Sequence, residues 1–163
     1  MIIKGLADEV FGDYRKPAMQ IVFPRCSFKC DIENGCKMCQ NSALAHSNPI
    51  SYPIPALVHR YITNPITKAV VCGGLEPMDS PEDLIEFITA LRGKCEDDVV
   101  IYTGYTEEEM EQKDFYKELC QFSNIIIKFG RFRPGQEPHY DEVLGVNLAS
   151  DNQYAKRVSN ERI

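Results

Sequence analysis

The stretch KAVVCGGLEPMDSPEDLIEFITALRGKCEDDVVIY, residues 68–102, predicts a strand, a helix and a second strand in succession. Its two ends, KAVVC (68–72) and DVVIY (98–102), are short apolar runs rich in valine, which is typical of buried strands. The serine and proline at 80–81 predict the start of a helix that ends at Gly93 and carries apolar residues at helical spacing. Two strands joined through a helix favour a parallel α/β sheet.

Strand and helix signals also alternate on both sides of this unit. AMQIVF (18–23) and NIIIKF (124–129) are two more predicted strands. IPALVHRYITN (54–64) predicts a helix before the central unit, and a capping box that begins at Thr106 predicts another helix that runs to about Phe122. Near-continuous apolar strands separated by helices indicate a parallel sheet that is covered on both faces.

We expect a single domain over residues 1–163. Folding of a chain of this length buries roughly 70% of its extended surface, so the core can be stable without disulfide bonds. The tail from Pro134 to Ile163 predicts loops with one short element at most. A closed barrel of eight strand–helix units takes about 250 residues, so this length excludes it. The pattern therefore predicts a partial barrel, or an open sheet, of about five or six strands.

Composition limits the compartment and the partners. The formal charge of −6 and the isoelectric point near 5.1 argue against a nucleic-acid surface, which needs a basic face. No apolar run approaches the ~20 residues of a membrane span, and the amino terminus lacks the apolar run of a signal peptide. We therefore expect a cytoplasmic protein, in which seven cysteines, an odd number, stay reduced rather than form a disulfide framework.

Four of those cysteines lie within CSFKCDIENGCKMCQN, residues 26–41, with the spacing C-x3-C-x5-C-x2-C. Structural zinc takes four thiolates in a tetrahedron, and the pairs Cys26/Cys30 and Cys36/Cys39 fit that pattern. An iron–sulfur cluster with one open iron needs three thiolates and leaves a coordination position for substrate. The spacing alone is compatible with either site.

Each predicted strand is followed by a loop of unusual composition. Cys26 follows the first strand, GGLEP (73–77) the second, TGY (103–105) the third and GRF (130–132) the fourth. The carboxyl ends of parallel strands share one edge of the sheet, and active sites of such folds lie there. The sequence therefore predicts that these four loops form one site.

Taken in order, these motifs resemble the radical S-adenosylmethionine enzymes. CSFKC after a strand, followed later by CQN (39–41), is similar to the cysteine signature of the activating proteins of anaerobic ribonucleotide reductases. GGLEP resembles that family's Gly-Gly-Glu-Pro loop, and YTGY (102–105) its fourth-strand motif. SDNQ (150–153) is similar to its carboxyl-terminal Ser-Asn-Gln stretch. The resemblance thus extends over most of the chain in unchanged order.

The resemblance implies a partial TIM-type barrel, the radical SAM fold, with a [4Fe–4S] cluster and S-adenosylmethionine as cofactors. In that family flavodoxin or ferredoxin supplies one electron, which breaks the sulfonium C–S bond of the cofactor. The products are methionine and a 5′-deoxyadenosyl radical, which takes a hydrogen atom from a glycine Cα of the partner. The implied partner is the catalytic subunit of an anaerobic ribonucleotide reductase, which keeps a stable glycyl radical.

The resemblance also implies the site residues. Cys26 and Cys39 are cluster ligands in either alignment of the signature. The middle ligand is Cys30 or Cys36, and we favour Cys30 because CSFKC follows its strand at the expected distance. The residues implied to bind S-adenosylmethionine are Met38 against adenine, Asn41 in the following loop, Gly73 and Gly74 beside the methionine part, Glu76 at its ammonium group, and Thr103 and Tyr105 at the nucleoside.

The sequence departs from the family pattern at two places. The cysteine signature contains an insertion with a fourth cysteine, and Leu75 splits the Gly-Gly-Glu run.

Two other functions also fit these residues. One is a radical enzyme for a small molecule, such as a modified-purine synthase, and the other is a zinc-stabilised interaction domain that uses all four cysteines. The chain is too short for a large substrate-enclosing domain, which favours a protein docked at an open rim. Lys128 could contact the carboxylate of the cofactor, but we favour a lysine that extends its ammonium group to solvent.

Overall fold

The computed structural model describes residues 1–159 and contains ten strands in that range. They are β1 (Ile2–Ile3), β2 (Gly5–Val10), β3 (Ala18–Phe23), β4 (Ile50–Ser51), β5 (Ala69–Gly74), β6 (Asp98–Tyr102), β7 (Ile125–Phe129), β8 (His139–Asp141), β9 (Val146–Leu148) and β10 (Tyr154–Arg157). The helices are α1 (Lys29–Asn34), α2 (Ser42–Ala45), α3 (Ile54–Thr63), α4 (Pro81–Arg92), α5 (Glu107–Glu111) and α6 (Asp114–Leu119), with a 3-10 turn at Pro77–Asp79. Within the described residues, no helix has the length and apolar character needed to cross a membrane.

A six-stranded sheet with the order β10-β7-β6-β5-β3-β2 forms the centre of the fold. Its inner strands β3, β5, β6 and β7 are parallel, while β2 and β10 pair antiparallel at the two edges. The inner strands confirm the four strands predicted from the sequence, but the sheet as a whole is mixed. It forms no closed barrel within residues 1–159, and the partial barrel stays a prediction.

The two faces of the sheet are covered differently. On one face, α3, α4 and α6 supply apolar residues such as Leu57 and Phe87, which form a core with Ile101 and its neighbours in the strands. Alternate residues of the same strands point to the opposite face. There the β8–β9 segment packs against the sheet through residues such as Leu148, which shares a smaller core with Val71. Helices therefore cover one face, and the other is only partly covered.

Several local predictions differ from the structure. The helix predicted from Thr106 to about Phe122 is divided into α5 and α6, because Lys113 has an extended backbone (φ −102°, ψ 127°). The capping box of Thr106 is confirmed, whereas the side chain of Ser80 makes no cap hydrogen bond. The tail, predicted to hold one short element at most, contributes the β8–β9 hairpin and the edge strand β10.

The register of the parallel strands brings their carboxyl ends to one edge. Phe23 of β3 lies beside Gly74 of β5, and Tyr102 of β6 lies beside Lys128 of β7. The loops that follow these strands therefore start next to one another, as the sequence predicts. This edge of the sheet positions the candidate site.

Candidate functional site

A cleft of about 440 Å³ lies at the carboxyl edge of the four parallel strands, on the sheet face that the helices leave free. Its floor includes Gln20, Val71 and Tyr102, which project from the strands, and its rim consists of the loops that follow them. A volume of this size suits a small-molecule cofactor. The loops that the sequence brings to this edge therefore line a single cavity.

Three of the four clustered cysteines line this cleft, namely Cys26, Cys30 and Cys39. Cys26 lies in the loop after β3, Cys30 lies in α1, and Cys39 lies in the loop before α2. Cys36 is exposed and is not among the residues that line the cleft. The three cysteines that we favoured as ligands thus line one cleft, and the fourth is not among its lining residues.

The sulfur atoms of the cleft are partly shielded from water. Burial raises the pKa of the Cys26 thiol to about 12, although the backbone N–H of Phe28, 3.2 Å from the sulfur, opposes the rise. Burial also raises the pKa of Cys39, and the neighbouring Cys30 and Asp31 add to the effect. These two thiols are therefore protonated near neutral pH, and a metal that binds them must displace their protons.

The donor chemistry of the cleft fits an iron–sulfur cluster. In a [4Fe–4S] cluster each cysteine thiolate binds a different iron, so three thiolates leave one iron open to another ligand. The cleft combines three cysteine sulfurs with polar groups on the same walls. Among residues 1–159, no three His, Cys, Asp or Glu side chains are grouped as a site for a single metal ion.

Glu76 connects the loops that follow β5 and β6. Its carboxylate accepts the N–H of Gly104 at 2.8 Å and that of Met78 at 3.1 Å, and its own N–H donates to the carbonyl of Arg25 at 2.8 Å. Burial raises the pKa of Glu76 to about 7, although these hydrogen bonds to the carboxylate act to lower it. Leu75, which departs from the family pattern, is itself buried, and Glu76 still lines the cleft.

Asp79 joins the cysteine loop to the loop after β6 by hydrogen bonds, a role that we did not predict from the sequence. Its carboxylate accepts the N–H of Ser27 at 2.7 Å and the hydroxyl of Tyr105 at 2.6 Å. The Tyr105 ring is buried beneath the ammonium groups of Lys29 and Lys113, which lie 4.1 and 4.7 Å from its centroid. Tyr105, assigned to the nucleoside above, is not among the residues that line the cleft.

The two glycines at the end of β5 have different reasons to be glycine. Gly74 has a left-handed backbone (φ 85°), and a Cβ there would lie 2.4 Å from Cγ1 of Val22. A Cβ on Gly73 would meet Tyr102 at 3.5 Å, which is an ordinary contact. The fold therefore requires glycine at 74, whereas at 73 the missing side chain leaves room in the cleft.

Thr103 and Lys128 lie side by side at the ends of β6 and β7. The Thr103 N–H donates to the Lys128 carbonyl at 2.9 Å, and the Lys128 ammonium donates to the carbonyls of Gly130 at 2.9 Å and Thr103 at 3.4 Å. Burial lowers the pKa of Lys128 to about 8, although the nearby charge of Glu76 acts to raise it. The prediction that this ammonium reaches solvent was wrong, because Lys128 is 7% exposed and lines the cleft.

The remaining predicted residues are divided between the cleft and its surroundings. Asn41 lines the cleft and lies at the start of α2, where its side chain makes no cap hydrogen bond. Met38 is half-buried and is not among the lining residues. In the SDNQ stretch, Gln153 lines the cleft and accepts the N–H of Ser150 at 3.2 Å.

Comparison with known protein families matches residues 18–153 to the family described as 4Fe-4S single cluster domain. The chain belongs to this family. The match begins with β3 and spans the four clustered cysteines and all four parallel strands. A search of curated proteins and a search of solved structures each found no match. Membership of the 4Fe-4S single cluster domain family supports a [4Fe–4S] cluster as cofactor and confirms the iron–sulfur part of the sequence prediction.

Proposed function

We propose that this 4Fe-4S single cluster domain protein is a radical S-adenosylmethionine activase that installs a glycyl radical on an anaerobic ribonucleotide reductase. The observation that carries the proposal is the composition of one cleft. The same cavity of about 440 Å³ is lined by three cysteine sulfurs, the two glycines at the end of β5, a buried carboxylate and a buried ammonium. Those are the groups that a cluster and a zwitterionic cofactor need together.

Cys26, Cys30 and Cys39 would hold the cluster. All three line the cleft, while Cys36 is exposed and lies outside the set of lining residues. Three ligands from the cleft would leave one iron free to bind a cofactor, as the activase function requires. A structural zinc site would use all four thiolates, so the placement of Cys36 favours the cluster over zinc.

The walls of the cleft offer opposite charges to the two ends of an amino acid. Glu76 would accept from the ammonium group of S-adenosylmethionine, since a carboxylate has more acceptor positions than its two backbone donors occupy. Lys128 uses two of its three N–H donors on backbone carbonyls, and the third would bind the carboxylate of the cofactor. Thr103 and Asn41 lie on the same rim, where they would contact the rest of the ligand.

When bound, the cluster and S-adenosylmethionine supply reductive cleavage of the sulfonium C–S bond and a carbon radical that takes a hydrogen atom from the substrate. The chain's own residues orient the cofactor and limit the access of water. Val22, Val71 and Leu148 give the cleft an apolar lining beside its charged groups. Such a lining strengthens the interactions of Glu76 and Lys128 with a bound zwitterion.

A protein fits this cleft better as the substrate than a small molecule does. The cleft lies at the carboxyl edge of the sheet, and Leu148 of the short strand β9 is among its lining residues. A glycine loop of a partner could approach the rim without the domain closing over it. We therefore place the reductase catalytic subunit at this rim, with flavodoxin or ferredoxin as the electron donor in the cytosol.

The test begins with protein purified without oxygen and reconstituted with iron and sulfide. Reduction with dithionite in the presence of S-adenosylmethionine should release equal amounts of methionine and 5′-deoxyadenosine, measured by chromatography. Addition of an anaerobic ribonucleotide reductase catalytic subunit should then produce the glycyl radical, measured by electron paramagnetic resonance.

Three other outcomes have distinct meanings. A protein that binds a cluster but never cleaves the cofactor would refute the activity and leave the family assignment intact. Cleavage without a glycyl radical on the reductase would favour the small-molecule enzyme. A colourless protein with bound zinc would favour the interaction domain.

A further inference from the structure

The helix that carries Cys30 lacks apolar packing. Helix α1 is six residues long and has no buried residue. Its first turn follows Phe28, whose backbone is left-handed (φ 51°) and whose side chain makes no cap hydrogen bond. Burial of apolar side chains usually supplies most of the stability of a short helix. The position of α1 therefore depends on polar contacts of its side chains.

One group of these contacts joins α1 to the loop after β7. Glu33 pairs with Arg131 at 3.2 Å and with Arg133 at 3.1 Å. Asn34 adds a hydrogen bond to the carbonyl of Phe132 at 3.4 Å. These contacts hold the helix against the sheet, but they do not reach the second half of the cysteine motif.

Asp31 makes the connection to that second half. One carboxylate oxygen, Oδ1, accepts the backbone N–H groups of both Met38 and Cys39, each at 2.9 Å. In the described part of the chain, these are the hydrogen bonds that join residues 36–39 to α1. The carboxylate one residue after Cys30 thus fixes the backbone of Cys39.

We propose that Asp31 is the positioning residue that selects Cys39 as the third cluster ligand and keeps Cys36 out of the set. The inference rests on the cluster assignment given above. Two amides held on one oxygen fix the backbone from which the Cys39 side chain extends. Cys36 lies three residues earlier, has no such contact and is exposed. The same loop offers two thiols, and Asp31 decides which one enters the cleft.

The charge of Asp31 has a second consequence. A carboxylate next to a cluster ligand adds negative charge near the iron, and negative charge disfavours the uptake of an electron. Substitution of Asp31 by a neutral residue of the same shape should therefore shift the reduction potential of the cluster to a more positive value. A residue that only supported the fold would leave the potential unchanged.

Two substitutions separate position from charge. Asp31→Asn keeps a carbonyl oxygen that accepts the same two N–H groups, so iron content should match the wild type while the reduction potential rises. Asp31→Ala removes the acceptor, and loss of such an outer contact typically weakens metal binding about 10- to 100-fold. Iron release to a chelator, followed by absorbance, should accelerate by about tenfold or more in Asp31→Ala. Lys37→Ala, a change at an exposed residue of the same loop, is the matched control for cluster retention and should release its iron at the wild-type rate.

A double substitution tests the selection between thiols. In the wild type, Cys36→Ala should leave iron content unchanged. In Asp31→Ala the loop is free, so Cys36 competes for the open position, and the added Cys36→Ala change should lower iron content further. This difference between the two backgrounds is a coupling that a general loss of stability does not produce.

The inference fails if Asp31→Ala holds its cluster as firmly as Lys37→Ala, or if Cys36→Ala has the same effect in both backgrounds. An unchanged potential in Asp31→Asn would refute the charge effect. If the wild-type protein itself binds no iron, the cluster assignment fails instead. The two failures are therefore distinguishable in one set of samples.

Discussion

Gly73 and Gly74 adjoin in the sequence and differ in what they require. Substitution of Gly74 by alanine would place a methyl group 2.4 Å from Val22 on a backbone with φ of 85°. Left-handed strain of this kind costs about 1–3 kcal/mol, so Gly74→Ala should lower the free energy of unfolding by at least that amount. Chemical denaturation followed by circular dichroism measures the change.

Gly73→Ala is the matched control for that prediction. Its Cβ would make an ordinary contact with Tyr102, so stability should stay near the wild-type value. Because Gly73 lines the cleft, the added methyl group should instead weaken the proposed binding of S-adenosylmethionine. Equal stabilities for the two variants would contradict the left-handed backbone and the close approach to Val22 at Gly74.

At the scale of a secondary-structure element, two helix starts that look alike in the sequence differ in the structure. Thr106 accepts the N–H of Glu109, and the Glu109 side chain accepts the N–H of Thr106 in return. The Ser80 hydroxyl is buried and has no hydrogen-bond partner among the described residues. The same Ser/Thr signal thus marks a working cap in one helix and not in the other.

The substitutions Thr106→Ala and Ser80→Ala turn this difference into a prediction. Thr106→Ala should lower the free energy of unfolding by about 1 kcal/mol, which is typical for loss of a helix cap. Ser80→Ala removes a buried hydroxyl that makes no hydrogen bond, so its cost should be smaller or even reversed in sign. Urea unfolding of both variants gives the comparison, and a larger loss for Ser80→Ala would contradict the structure.

Two of the elements that the sequence did not reveal are the edge strands of the six-stranded sheet. β2 and β10, GLADEV and YAKR, each pair with one neighbour, and most of their residues are not buried. They therefore lack the apolar runs that identify the inner strands. The break at Lys113 was also unpredictable, since its ammonium lies over the rings of Tyr105 and Phe115, contacts that only the folded chain makes.

At the scale of the whole molecule, Asp98 joins distant parts of the chain. Its buried carboxylate accepts hydrogen bonds from Tyr14 at 3.0 Å, Lys16 at 2.6 Å and Arg157 at 3.1 Å. These partners lie between β2 and β3 and in β10, so one side chain links both of those segments to β6. Burial alone would raise the pKa of Asp98, but its partners outweigh burial and hold the pKa below the usual value.

A lowered pKa in the folded state gives a definite pH dependence. The charged form of Asp98 stabilises the fold above the pKa of the unfolded chain, and this contribution is lost as pH falls through the lower folded pKa. Asp98→Asn should therefore reduce the free energy of unfolding by about 2 kcal/mol near neutral pH. The difference from wild type should shrink below about pH 4.

The control for this prediction is Asp8→Asn, which removes the exposed ion pair with Arg60. Exposed pairs contribute little, so its effect should be clearly smaller than that of Asp98→Asn. Thermal unfolding as a function of pH measures both. If the two variants behave alike, or if the Asp98→Asn deficit grows in acid, the role of Asp98 as a buried charged link is wrong.

The sequence predicted which loops line the cleft better than it predicted the edge strands of the fold. Strand-end loops could be placed together because parallel strands share one edge, and the cleft contains Cys26, Gly73, Glu76 and Thr103 as expected. The side-chain contacts among those loops were not predictable. Asp79 stands next to a recognised motif, but only the folded chain shows its bond to Tyr105.

The most direct test of the central claim is the iron content and paramagnetic spectrum of the reconstituted chain and its four single Cys→Ala variants. The account predicts about four irons per chain in the wild type and in Cys36→Ala, with a reduced-cluster spectrum that changes when S-adenosylmethionine is added. Cys26→Ala, Cys30→Ala and Cys39→Ala should each lose iron. A colourless wild type whose single zinc ion is lost in all four variants, or a spectrum indifferent to S-adenosylmethionine, would contradict it.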